Sequence, residues 1–209
     1  MSKSGSRFNR DDVEVLNREH CHSGFLKLEK LRLRHRLYAG GWSEAMQREV
    51  VLRDEAVGVL LFDPDRDQLV LVRQFRVGVI EQSSDAWLLE LVAGMVKPGE
   101  EVEQVAIRES IEEADCEPTD LIRICEYFNS PGTSNEKLTL FCGRVDASTA
   151  TGIHGLVEEH EDIEVVVMPL DDAFQAIASG VINNAMTIIA IQWLQLHKTT
   201  ILKGWNCHS

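Results

Sequence analysis

Basic residues are scarce in this chain. Lys and Arg total 21 against 34 Asp and Glu, which leaves a net charge of −13 over 209 residues. Broad nucleic-acid binding needs a basic footprint, so that class is excluded. A nucleotide substrate is not, because a bound cation can neutralise phosphates locally. Cysteine is also sparse. Cys21, Cys116, Cys125, Cys142 and Cys207 are odd in number and include no CxxC pair. A disulfide framework and a structural zinc site are thereby disfavoured, and buried free thiols in a reducing cytoplasm are expected. No run approaches the ~20 apolar residues of a membrane span. No apolar stretch follows Met1 to Arg7 as a signal peptide requires. Repeats and low-complexity segments are absent, and residues 1–10 are expected to be a loose tail. What remains is an ordinary globular composition, 44% hydrophobic and 26% charged. The length suits one well-buried domain with a small appendage.

Hydrophobic periodicity outlines the elements. Residues 24–38 alternate through Leu26 and Leu28, slip by one, then alternate through Leu31, Leu33 and Leu37. This predicts a strand with a bulge at Glu29-Lys30. After the Gly40-Gly41 turn, residues 43–53 return as a second strand, so that residues 1–52 form an N-terminal β segment. Val57 to Phe62, the turn Asp63 to Asp67, and Leu69 to Val72 read as a hairpin. Trp87 to Val92, Leu121 to Tyr127, Leu138 to Val145 and Ile163 to Met168 read as further strands. Helices are expected over 101–114, 170–179 and 185–197, the second bounded by Asp171-Asp172 and Gly180. Many strands with three helices, one of them placed mid-sheet, describe an α+β fold, an α/β/α sandwich with a mixed sheet over 53–209.

The chemistry concentrates in one run. From Gly94, five residues lead to Glu100, seven more to Arg108-Glu109, and two more to Glu112-Glu113. On a helix Glu109 and Glu113 lie one turn apart on one face, with Glu112 flanking them. Like charges at this spacing cost about 0.2–0.5 kcal/mol per pair. Arg108 can offset Glu112 at i+4, whereas no cation of the helix is expected to offset Glu109 against Glu113. Val102, Val105 and Ala106 share the glutamates' arc, which puts the carboxylates at the edge of a packed surface. Ile107, Ile111 and Ala114 on the opposite arc look like the main core stripe. Half-withdrawn carboxylates need a cation, and Mg²⁺ is typically held by one or two carboxylates plus phosphate oxygens. Six specified positions match by chance with a probability on the order of 10⁻⁷ to 10⁻⁸ per start position.

The run resembles the Nudix box, the signature of hydrolases that cleave nucleoside diphosphates linked to another moiety. It departs from the usual pattern at Asp115, where Gly is common, at Cys116, where an aliphatic residue is common, and at Ser110. None of these is a metal-binding position. Asp tolerates the left-handed conformation that ends a helix. Pro131, 16 positions after Asp115, is similar to a mark of the bacterial ADP-ribose pyrophosphatases within that family. So are Trp87 to Met95, Gly155 to Ile163, Ile182 to Ala185, and Trp193 to His197.

The resemblance implies a Mg²⁺-dependent enzyme, with Mn²⁺ a possible substitute, that converts ADP-ribose and water to AMP and ribose 5-phosphate. It implies metal ligation by Glu109, Glu113, Glu161 and the carbonyl of Ala93. It gives Glu112 and Arg108 supporting roles, Arg108 orienting the glutamates. The general base falls on Glu159, although Glu158, Glu159, Glu161 and Asp162 crowd that loop and leave the assignment open among the glutamates. Phe25 would stack on adenine, Arg48 and Arg76 would meet the substrate's charge, and Met95 and Glu136 would complete its site. The resemblance further implies a cytoplasmic homodimer with a swapped N-terminal segment, acting on a small nucleotide rather than on nucleic acid or membrane. Two alternatives stand beside it. One is a Nudix enzyme for a sugar nucleotide, NADH or a dinucleoside polyphosphate. The other is a sensor that binds without cleaving, against which the retained box glutamates speak.

Overall fold

The computed structural model describes residues 7–83 and 85–206. Met1 to Ser6, most of the expected loose tail, and Cys207 lie outside the described residues. The chain divides into two units: one runs to Arg53 and takes in Phe128–Glu136, and the other holds Asp54–Tyr127 and the chain from Lys137 onward.

In the first unit, β1 (Val13–Ser23), β2 (Lys27–His35) and β3 (Met46–Leu52) form an antiparallel sheet in that order. Periodicity finds β2 and β3 but not β1. Beyond Val15 the β1 residues are nearly all polar and exposed, so backbone pairing rather than burial holds the strand. The bulge expected at Glu29-Lys30 is absent. There β2 keeps unbroken register with β3, and the register shifts sit on β1, between Val15 and Asn17 and between His20 and His22. Glu29 explains the slipped pattern: it takes a buried position, ion-paired to Arg18, with His20 Nδ1 3.2 Å from its other oxygen. Residues 10–12 form a capped 3-10 turn, with Asn9 accepting from the Asp11 N–H at 2.7 Å. Phe128–Glu136 joins this unit through the Val51 N–H to the Thr133 carbonyl at 2.8 Å and the Arg53 N–H to Asn135 Oδ1 at 2.7 Å.

The second unit is an eight-stranded mixed sheet between helices. Its strands are β4 (Ala56–Asp63), β5 (Gln68–Phe75), β6 (Trp87–Glu90), β7 (Val92–Met95), β8 (Leu121–Phe128), β9 (Lys137–Arg144), β10 (Ile153–His154) and β11 (Ile163–Pro169). The helices are α1 (Val102–Ala114), α2 (Leu170–Ser179) and α3 (Ala185–Asn206). The main order is β10-β11-β5-β4-β9-β8, with β6 beside β5, β7 beside β4, and β4 parallel to β9.

Strand alternation builds two cores. Val57, Val59, Leu61, Val70 and Val72 face α1, while Leu60, Phe62, Leu69 and Leu71 face α2 and α3. Both sets are fully buried, which makes these strands read as continuous apolar runs. α3 continues nine residues past His197, where it was expected to stop, because Ile201 and Trp205 remain buried on the core side across the polar Lys198-Thr199-Thr200. On one edge β4 is shared: Leu61 to Asp63 pair with β5, and Ala56 to Val59 pair with β7. The chain passes from β6 to β7 at Leu91, whose N–H donates to Thr187 Oγ1 at 3.1 Å. That step carries Ala93 and Gly94 to the foot of α1.

Candidate active site

The buried face of α1 is not the one that helical periodicity suggests. Val105, Ala106, Ser110, Glu113 and Ala114 are buried, Ile107 is half-buried and Ile111 is exposed. The glutamate arc therefore packs on the sheet, and Glu113 keeps only 3% of its surface. Asp115 ends the helix in the left-handed conformation at φ 50°. Ser110, at one of the unusual positions, donates its hydroxyl to the Ala106 carbonyl at 2.7 Å and so satisfies itself inside the helix.

The two ends of the sequence run meet in space. Glu113 Oε2 accepts the Ala93 N–H at 3.0 Å. Glu109, one turn earlier, lies across Gly94, where a Cβ would overlap the Glu109 carboxylate. Glycine here permits a close approach rather than a turn. Arg108 ties the intervening loop to the helix. Its Nη1 donates to Glu109 at 2.7 Å and to Glu112 at 3.0 Å. Its Nε and Nη2 both reach Glu100 at 3.2 Å, and Nη2 also approaches the Met95 carbonyl at 3.5 Å. Arg108 thus offsets Glu109 as well as Glu112, contrary to the expectation that nothing in the helix would.

A second segment closes on this surface. The Gly155 N–H donates to the Glu112 carbonyl at 3.3 Å. Gly155 sits at φ 104°, and a Cβ there would come within 2.6 Å of Glu161 Cβ. Glu161 is half-buried, with Oε2 accepting the Leu156 N–H at 2.9 Å. Glu158, Glu159 and Asp162 are exposed.

The electrostatics follow from burial. The Glu113 carboxyl is pushed up to about 8, chiefly by burial, with the Ala93 N–H pulling it down and the charges of Glu109 and Glu161 pushing it up. Glu109 is raised for the same first reason, opposed by Arg108 and reinforced by Glu112 and Glu161. Burial works against the Arg108 charge, but its bonds to Glu100 and Glu109 prevail and hold its pKa above normal. Arg76 lies close enough to lower Glu113, and its Nε donates to the buried Glu90 at 2.7 Å. Glu90 went unnoticed in the sequence, although a single acid in Trp87-Leu88-Leu89-Glu90-Leu91-Val92 is a signal.

Clustered carboxylates whose charge is disfavoured as they stand are the donor set a divalent cation suits. Among the described residues no group of three or more acidic, His or Cys side chains is placed to hold a metal ion by itself. Mg²⁺ does not require such a group, since it normally keeps waters and phosphate oxygens.

The comparisons with known proteins give this arrangement a family. Residues 52–187 match the model of the Nudix domain. This chain belongs to the Nudix family. Nudix enzymes generally use a divalent metal and act on small nucleotide substrates. The chain is 44% identical over 198 residues to the ADP-ribose pyrophosphatase of Escherichia coli K12, covering 95% of each. It is 36% identical over 152 residues to the GDP-mannose pyrophosphatase of Cronobacter sakazakii, covering 72% of this chain and 78% of that one. A solved structure described as an ADP compounds hydrolase shares the fold with a TM-score of 0.67 at 23% identity, over 93% of this chain and 97% of that one.

The remaining substrate-site residues expected from the sequence, Phe25, Arg48 and Glu136, belong to the first unit. Phe25 is 82% exposed, with the Arg53 guanidinium 5.4 Å from its ring centroid. Glu136 accepts from Arg53 Nε at 3.3 Å and from Asn129 Nδ2 at 2.8 Å. Arg53 therefore links two of the expected residues, a contact between segments that the sequence reading did not single out. Arg48 is exposed and donates to the Gln47 carbonyl at 2.8 Å. Core packing does not account for an aromatic side chain this exposed. Cys116 and Cys142 are buried as expected, burial pushing the Cys142 thiol up to about 12, but Cys21 is exposed. No described helix is long and apolar enough to cross a membrane.

Proposed function

We propose that this chain hydrolyses the pyrophosphate of ADP-ribose to AMP and ribose 5-phosphate, with Mg²⁺ as its metal and Mn²⁺ as a substitute. What supports the reading is that Glu161, on a loop whose Gly155 N–H bonds the Glu112 carbonyl of α1, lies near enough for its charge to act on Glu109 and Glu113, in a chain that matches an ADP-ribose pyrophosphatase over nearly its whole length.

Glu109, Glu113, Glu161 and the Ala93 carbonyl would hold the metal. The chemistry supplied by the bound ion is charge neutralisation on the pyrophosphate oxygens and activation of a water. Glu159, exposed and unbonded through its side chain among the described residues, would serve as the general base, accepting a proton from the attacking water and aiming it in line with the leaving oxygen. Arg108 and Glu112 keep the acidic set in register. Phe25 stacks on adenine, with Arg48, Arg76, Met95 and Glu136 completing the substrate contacts. The enzyme works in the cytoplasm as a homodimer with the N-terminal segment, residues 1–52, exchanged between subunits. Light scattering should then return twice the 23.5 kDa chain mass.

Likeness to a GDP-mannose pyrophosphatase keeps one second reading, a different nucleoside diphosphate derivative. The test is a screen of the purified protein with Mg²⁺ against ADP-ribose, GDP-mannose, NADH and a dinucleoside polyphosphate. ADP-ribose should give the highest kcat/KM, with AMP and ribose 5-phosphate as products. Preference for another compound overturns the substrate, and binding without product overturns the enzyme in favour of a sensor.

A further inference from the structure

Glu90 is the one acid on β6, and it is almost fully buried. It pairs across the sheet with Val72, which places it on the α1 side. A carboxylate withdrawn from water on an apolar strand is costly, and a leucine or methionine of similar size would pack there at less cost. Burial indeed raises the Glu90 carboxyl above its ordinary range, with Arg76 pulling it back. Something must offset that cost.

Arg76 shows what. It lies just past the end of β5, where its N–H donates to the Ala86 carbonyl at 2.8 Å. Its side chain is 42% exposed, yet Nε is tied at 2.7 Å to the Glu90 carboxylate. Its two terminal nitrogens make no hydrogen bond among the described residues. A guanidinium anchored through Nε presents those nitrogens as a free fork, the geometry that grips phosphate oxygens. Arg76 is also close enough to Glu113 for its charge to act there. Without an anchor, a long arginine near three carboxylates would collapse onto them, as Arg108 does onto Glu109 and Glu112.

We propose that Glu90 is a positioning residue. It holds Arg76 by Nε, turning the terminal nitrogens towards the pyrophosphate of the substrate and away from the metal-binding glutamates. This rests on the pyrophosphatase reading above.

The experiment is a double-mutant cycle on the full chain with Glu90→Leu, Arg76→Ala and their combination, plus Glu90→Gln, which keeps an oxygen for Nε. Steady-state kinetics with ADP-ribose should show KM raised about tenfold or more in Glu90→Leu with kcat much less changed, as expected for lost uniform binding. In the Arg76→Ala background the same change should add less than about twofold, because the residue it positions is gone. Glu90→Gln should recover most of the loss. Calorimetry in EDTA with inorganic pyrophosphate should repeat this coupling without metal or turnover. If the two losses simply multiply, or if Glu90→Leu folds and binds like the wild type, the assignment fails. If Glu90→Leu does not fold, Glu90→Ala takes its place in the cycle, and an equal loss by Glu90→Ala with and without Arg76 overturns the assignment. A wild type that binds pyrophosphate with the expected coupling but does not cleave ADP-ribose would sink the substrate reading alone.

Discussion

At the scale of single residues, Gly94 and Glu113 carry opposite lessons about space and charge. A methyl at Gly94 would overlap the Glu109 side chain from its carboxylate back to Cγ, so that side chain must move. Gly94→Ala should therefore lose about 1–3 kcal/mol of stability. It displaces the carboxylate proposed to bind the metal, so kcat should fall on the order of a hundredfold or more, since misplacement by about 1 Å can cost that much. Steady-state kinetics beside thermal melts separate the two effects. Glu113 bears on pH. Its folded value of about 8 lies above the ordinary 4.5. The folded metal-free protein thus keeps a proton that the unfolded chain has released, and stability should fall as pH rises between those values. Glu113→Gln should flatten that slope in denaturant melts in EDTA, leaving the smaller contribution of Glu109, and should lower turnover by orders of magnitude. Retained turnover in this variant would refute the metal assignment.

Among the elements, the β4–β5 hairpin is the one whose turn is built on a charge. Asp63 is buried, and its carboxylate accepts the N–H groups of Asp65 at 2.9 Å, Arg66 at 3.0 Å and Ala147 at 2.8 Å, with Arg66 Nη1 at 3.0 Å. Burial opposes the charged form, but these donors prevail and hold the pKa below 3.8. Its stabilisation is present above 3.8 and is lost as pH falls through the folded value. Asp63→Asn should cost about 2–3 kcal/mol at neutral pH, the range for hydrogen bonds to a buried charge. The gap to wild type should close in acid, as measured by urea unfolding across the pH range. The hairpin was legible from its apolar runs and Asp-rich turn. The bond from Ala147 was not, because it joins residues 84 apart.

For the molecule as a whole, the excess of acid and the buried carboxylates make the metal-free state self-repelling. A cation that binds only the folded chain stabilises it by mass action. Mg²⁺ at about a hundred times its Kd should add about 2.7 kcal/mol, and EDTA should remove it together with turnover. The gain should be much smaller in Glu113→Gln. An equal thermal shift in that variant would place the bound ion elsewhere.

The run from Gly94 to Glu113 was readable without coordinates, because metal and pyrophosphate chemistry demands particular residue types at particular helical spacings. So were the apolar strands, since burial on both faces leaves one composition available. β1 was not, because a polar strand exposed on both sides has no hydrophobic period to see. The buried face of α1 was misread for a related reason: Ser110 and Glu113 are polar, yet both find hydrogen-bond partners inside, so polarity did not mean exposure. Which cations sit beside which glutamates, and that Glu90 anchors Arg76, depend on contacts between segments far apart in the chain. Composition leaves such contacts open, and only the closing of the sheet selects among them.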